Sequence, residues 1–169
     1  MQITRRHLLA LSAGTAVAGT IGAGGTVLRW WNRGPSDPFR VLHEDEAAFV
    51  RAWASAAFPR TGTTPIAGEN AGLDHFFDGV LERSPDTTAN LLTVLLNALN
   101  TASIVSHGAR FADLSANDRT ACFDDWTHSS TGVIRSACQG LVLLLGMGWS
   151  THPDVAPTFA MMHSCGYGA

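Results

Sequence analysis

Residues 72–106 read GLDHFFDGVLERSPDTTANLLTVLLNALNTASIVS, and this stretch decides the fold. Leu73, Phe76, Phe77, Val80 and Leu81 recur at i, i+3, i+4, i+7 and i+8, the spacing of one helix face, which predicts a helix from about Gly72 to Arg83. Ser84-Pro85 then interrupts the pattern. Ser84 suits an N-cap and Pro85 a first helical position. The following run predicts a helix over 85–106, with Leu92, Leu95, Leu96, Leu99, Ala102 and Val105 facing inward. Two apolar-striped helices joined by a tight break define an all-α chain.

Working outward, no run alternates with period two over a useful length. A helix is predicted from His43 to just before Pro59. Glu44, Asp45 and Glu46 occupy its first turn, where the helix dipole favours negative charge, and Val50, Trp53, Ala54, Ala57 and Phe58 form its stripe. Residues 59–68, with two Pro, two Gly and three Thr, read as a loop. Ser115 is expected to cap a further helix with Asp118 as reciprocal partner; its inner face is Cys122, Phe123 and Trp126. A fifth helix is expected over 131–149, with Ile134, Ala137, Cys138, Leu141, Val142 and Leu145 on one face. Its segment Gly140–Gly148 is apolar nearly all round, which predicts the central buried helix. Residues 150–169 read as an irregular tail. The fold class is therefore all-α: a small domain of about five helices over 43–169, preceded by a linker at 34–42.

Charge divides the chain at the same place. All 11 basic residues are Arg, and the net charge of −3 is uneven. Residues 1–33 hold four Arg and no acid, whereas the remainder holds seven Arg and 14 acids, a net −7. An acidic body argues against a nucleic-acid binder, which needs a positive face. The arm is a targeting segment. Arg5-Arg6 precede 22 residues, His7 to Leu28, that carry no Asp, Glu, Lys or Arg. That length crosses a bilayer as a helix, yet Gly, Ser and Thr keep it weakly hydrophobic. The Arg pair followed by two Leu resembles a twin-arginine export signal. Ala16-Val17-Ala18 fits a cleavage site, and Arg29-Trp30-Trp31-Asn32-Arg33 fits an interfacial belt that retains an anchor. Both outcomes stay open.

Catalytic patterns are missing from the sequence. It has no GxSxG, no phosphate loop, no GxGxxG between strand and helix and no CxxCH. The missing Lys removes Schiff-base chemistry. None of the seven His pair at i, i+4. His152, His163 and Cys165 are close in the tail, and either a metal site there or plain exposed residues fits the spacing. Asp124-Asp125 are adjacent on a helix and so diverge. Cys122 and Cys138 lie on inner faces of consecutive helices, which suits either a disulfide or two small buried hydrophobes. Cys165 is the odd thiol, a candidate for pairing with another chain.

Trp53-Ala54-Ser55-Ala56-Ala57-Phe58-Pro59, Phe76-Phe77-Asp78, Phe111-Ala112-Asp113-Leu114-Ser115 with Arg119, Pro153-x-Val155 and Gly166-Tyr167-Gly168 occur in an order that resembles the gluconate 2-dehydrogenase subunit 3 family. The resemblance covers about residues 43–169. It implies a non-catalytic small subunit, with no catalytic residue, cofactor or metal of its own. The implied partner is a large FAD-containing subunit of the glucose-methanol-choline type, exported with it through the twin-arginine translocon, with a cytochrome c as a candidate electron acceptor. The expected location is the periplasm or the periplasmic face of the inner membrane, with residues 7–28 as a candidate anchor. Candidate partner contacts are Trp149, Phe159, Met161, Met162, Cys165 and Tyr167, and then Phe58-Pro59, because aromatic residues and Met are enriched in interface cores. A stand-alone membrane-anchored scaffold and a metal protein using the His/Cys tail are the alternatives.

Overall fold

Six α-helices and two 3₁₀ turns make up the regular structure of the computed structural model, which describes residues 33–61 and 64–162, with side chains as far as Phe159. Among these residues there is no β-strand. The helices are α1 (Glu44–Ala57), α2 (Leu73–Arg83), α3 (Asp86–His107), α4 (Ala116–Thr127), α5 (Gly132–Ser150) and α6 (Ala156–Met162); the 3₁₀ turns are Gly68–Asn70 and Phe111–Asp113. The predicted Arg5-Arg6 export signal lies outside the described residues. From Pro35 onward the chain forms a compact unit of its own.

The centre of that unit is α1. Its start is fixed from both sides: His43 Nδ1 accepts the Asp45 N–H at 3.3 Å, and Glu46 Oε2 accepts the His43 N–H at 2.9 Å. Phe49, Val50, Trp53 and Ala54 have no exposed surface, and α1 packs against α2, α3, α4, α5 and both turns. Trp53 gathers the aromatic core: its ring lies 5.7 Å from Phe49, 5.3 Å from Phe111, 5.1 Å from Phe123 and 6.3 Å from Trp126. The centre predicted for Gly140–Gly148 is thus occupied by α1. Helix α5 buries only one face, through Cys138, Leu141, Leu145, Gly148 and Trp149, and leaves Leu143 and Met147 in solvent.

Helix α3 is rolled relative to the predicted stripe. Leu96 and Leu99 are buried and Leu92 and Leu95 half-buried, but Ala102 and Val105 point outward; Asn100 and Ser103 are buried in their place. Hydrogen bonds explain the roll. Asn100 Oδ1 accepts the Ala112 N–H at 3.0 Å, Ser103 Oγ donates to the Ala109 carbonyl at 2.8 Å, and Asn97 Nδ2 donates to the buried Glu46 at 2.7 Å. Polar side chains with buried partners hold one helix face inward against an apolar alternative, because breaking those bonds would strand the partners. Helix α3 ends on Gly108 at φ +73°, whose N–H donates to the Ile104 carbonyl, an αL cap that suits Gly.

Two boundaries also differ from expectation. Ser84 closes α2, donating from its hydroxyl to the Val80 carbonyl at 2.8 Å, and Pro85 is itself the N-cap of α3. The tail expected to be irregular carries α6. Pro157 is tolerated there because it falls in the first turn, and fully buried Val155 pins the helix start to the core. The Ser115 cap forms as expected, accepting the Asp118 N–H at 3.2 Å while its hydroxyl donates to the Asp118 carboxylate at 2.7 Å.

Candidate functional site

Helix α3 carries no Asp, Glu, Lys or Arg after Asp86, and α5 carries only Arg135. On the outer face of α3, Leu91, Val94, Ala98, Ala102 and Val105 are all exposed; Leu91 is 70% and Val105 94% exposed. Their 3-4-4-3 spacing places them on one narrow stripe over four turns. On α5 the exposed positions Val133, Ser136, Gly140, Leu143 and Met147 repeat the pattern with 3-4-3-4 spacing. Val133 is 80% and Leu143 72% exposed. Single exposed aliphatics are ordinary, but aligned ones without interleaved charge mark interaction surfaces. Both helices are long and apolar enough to cross a bilayer by length and composition. Of these residues periodicity placed Ala102, Val105 and the run Gly140–Gly148 inward and did not single out Leu91, Val94 or Val133; the roll of α3 and the peripheral place of α5 put all of these stripe positions at the surface.

A second aromatic group lies at the end of α5. Trp149 stacks on Phe58 at 5.0 Å and 18°, and Phe159 meets Trp149 edge-on at 5.9 Å and 82°. Three of the candidate contacts therefore pack on one another, with Phe58 and Phe159 half-buried and Pro59 exposed beside them. The side chains of Met161 and Met162, and all of Cys165 and Tyr167, lie outside the described residues.

Arg119, part of the sequence pattern, ties α4 to the domain. It donates to Ser55 Oγ on α1 at 2.9 Å and to the carbonyls of Ala112 and Leu114 at 3.3 and 3.0 Å. It borders a cleft of about 310 Å³ with Ser55, Pro59, Arg60, Glu69 and Thr120. Its guanidinium is thus committed largely to the fold. Arg51 bridges Asp74 at 2.7 Å and Glu44 at 2.6 Å. Burial opposes its charge, but the two carboxylates outweigh that and raise its pKa.

Among the described residues no three His, Cys, Asp or Glu side chains converge as metal ligands. His152 is half-buried beside Asp154, while His163 and Cys165 lie outside the described part. Asp124 and Asp125 are both exposed. Cys122 and Cys138 are fully buried free thiols on α4 and α5, which pack together. Burial pushes both up to about 11, and nearby Asp125 and Cys138 add to the effect at Cys122.

Fold and surface together define a small all-α domain, built around one aromatic helix and presenting apolar faces outward. The model of the family described as gluconate 2-dehydrogenase subunit 3 matches residues 44–154, and the chain belongs to that family. The family is that of an accessory subunit of a dehydrogenase complex. The match runs from the first residue of α1 to just past α5, so Gly166-Tyr167-Gly168 falls beyond it. No curated protein and no solved structure matches the chain.

Proposed function

We propose that this chain is the non-catalytic small subunit of a flavin-dependent dehydrogenase. Its partner is a large FAD-binding subunit of the glucose-methanol-choline type, which the chain stabilises and accompanies through the twin-arginine route by way of Arg5 and Arg6. The complex works in the periplasm or on the periplasmic face of the inner membrane, held there where residues 7–28 are retained, and a cytochrome c is its candidate electron acceptor. Family membership over α1–α5 carries this reading. The charge-poor outer faces of α3 and α5 support it, since an accessory subunit must offer a surface to its partner. The half-buried rings of Phe58 and Phe159, with Pro59, are further proposed contacts.

Co-expression of the tagged full chain with a flavin-binding oxidoreductase of the glucose-methanol-choline type from the same genome tests the proposal. A yellow complex active on an alcohol or sugar, whose large subunit stays in the cytoplasm when Arg5 and Arg6 become Lys, is expected. A chain that elutes alone and colourless overturns the reading.

A further inference from the structure

The cleft of about 310 Å³ opens between the end of α1, the Gly68–Asn70 turn and the start of α4. Three charged side chains line it: Arg60, Glu69 and Arg119. We infer that this cleft binds a carboxylate, held as a monoanion by Arg119 and Arg60. The inference is independent of the subunit reading, which gives neither Arg a part.

Arg119 makes the first argument. It is half-buried, and its hydrogen bonds all end on neutral oxygens: the Ser55 hydroxyl at 2.9 Å and the carbonyls of Ala112 and Leu114 at 3.3 and 3.0 Å. Neutral acceptors satisfy N–H groups and leave the charge uncompensated. Among the described residues no carboxylate pairs with Arg119 or Arg60, whereas Arg40, Arg51 and Arg110 are each paired. The Arg119 Nε N–H is also buried without an acceptor among those residues. Such donors are rare in native folds and call for a partner. A carboxylate answers both needs, since it brings acceptor oxygens and a negative charge to the guanidinium.

Charge balance makes the second argument. Two Arg and one Glu line the cleft, which gives 2 − 1 = +1, on a body that is net −7. One negative charge balances that local excess. A phosphate dianion exceeds it and meets Glu69. The walls make the third. Ala56, Pro59, Ala67 and Ala116 are apolar, so the carbon chain behind a carboxylate has surface to bury, and inorganic phosphate has none to offer. The volume is at the lower end of ligand pockets and suits an acid of a few carbon atoms. A free small organic acid and the Asp or Glu side chain of a bound protein both offer this chemistry.

The test titrates the isotope-labelled full chain at pH 7 and follows the Arg119 Nε–H resonance by NMR. The probes are butyrate, its neutral isostere butyramide, inorganic phosphate, and a capped Ala-Asp-Ala peptide whose side chain is its sole carboxylate. Butyrate is expected to move the resonance and to saturate at about 1–10 mM, ordinary for so small a ligand. Butyramide and phosphate should leave it in place. Arg60→Gln is expected to weaken butyrate by about 3–5-fold, the size of one exposed charge contact, and Ala116→Leu to fill the cleft and abolish binding. Arg83→Gln removes an exposed Arg outside the cleft and should change nothing. Arg60, Ala116 and Arg83 are all exposed, so the melting temperature should hold in each variant; if Ala116→Leu lowers it, Arg60→Gln carries the comparison. Arg119 itself ties α4 to α1, so its substitution would report folding instead. A peptide that saturates below butyrate assigns the carboxylate to a protein side chain, and the reverse order assigns it to a free acid; either supports the site. No response to either carboxylate, an equal response to butyramide, saturation by phosphate at the same concentration, or unaltered butyrate binding in Arg60→Gln overturns the inference. Capture of a flavoprotein is decided by none of these outcomes, so the subunit reading stands or falls separately.

Discussion

The carboxylate of Asp78 accepts the backbone N–H of Leu42 at 2.8 Å, across 36 residues of chain. The same carboxylate accepts the N–H groups of Arg40 and Val41, each at 2.9 Å. Three donors from consecutive residues converge on one side chain of α2, so the segment entering the domain is clasped to it. Leu42, fully buried, is carried into the core by this clasp.

Removing the clasp should cost stability in a pH-dependent way. Burial works against the Asp78 charge, but the three backbone donors prevail and lower its pKa below the ordinary 3.8. A lowered carboxylate contributes fully above its unfolded value and loses that contribution as pH falls through the lower folded value. Asp78→Ala is expected to cost about 2–3 kcal/mol at pH 7, the range for hydrogen bonds to a charged group. The difference from wild type should shrink below about pH 4. Urea melts at pH 7 and pH 3 check both statements, and an equal difference at the two values contradicts the linkage.

Trp53 should be the most costly single truncation. It has no exposed surface and contacts four aromatic rings. Trp53→Ala is expected to cost about 3–5 kcal/mol, the range for large aromatics in cores. Its indole Nε1 makes no hydrogen bond. Trp53→Phe therefore gives up packing volume alone and should cost about 1–2 kcal/mol. Thermal melts of the two variants decide this; a Phe variant as unstable as the Ala variant would show that the indole N–H is bonded in solution.

Seven residues with a Pro near the start show too little helical period to reveal α6; the existence of α1–α5 was legible because each repeats apolar residues at helical spacing between Pro, Gly or capping residues. Trp53, Phe77, Cys122 and Leu145 were readable as inward for the same reason. Phe49 was not, although it is fully buried, because α1 is enclosed on more than one side and a single-stripe reading sees only part of such a helix. Val105 and Leu143 misled in the opposite sense. Apolar periodicity names apolar residues at helical spacing, and it cannot tell a domain's own core from an apolar stripe left in solvent. On α3 the decision rests with Asn97, Asn100 and Ser103, whose partners at Glu46, Ala112 and Ala109 are distant in sequence or lie past the helix end.

Close packing of α5 on α2 should make Gly148 sensitive to one added methyl group. A Cβ there would sit 2.5 Å from the Phe76 ring. Ala in place of Gly gains up to about 1 kcal/mol of helix propensity, but overpacking costs about 1–3 kcal/mol. The clash should prevail, and Gly148→Ala is expected to destabilise by about 1 kcal/mol. In a Phe76→Ala background the ring is gone and the sign should reverse. A double-mutant cycle by thermal melting measures this coupling, and additive effects would place the two residues out of contact.

Cys122 and Cys138 should be silent toward alkylating reagents in the folded protein. Nucleophilic attack needs the thiolate. Burial first, with added charge repulsion at Cys122, raises both thiols to about 11, so at pH 8 each is almost wholly protonated as well as out of reach. Iodoacetamide at pH 8 is expected to leave both unmodified in the native domain and to label both in guanidinium chloride without reductant. Mass spectrometry of the peptides that carry them reads the result. Labelling in denaturant that appears only after reduction would instead mean that a disulfide joins α4 to α5. The covalent tie would then add to the helix packing at that corner of the domain.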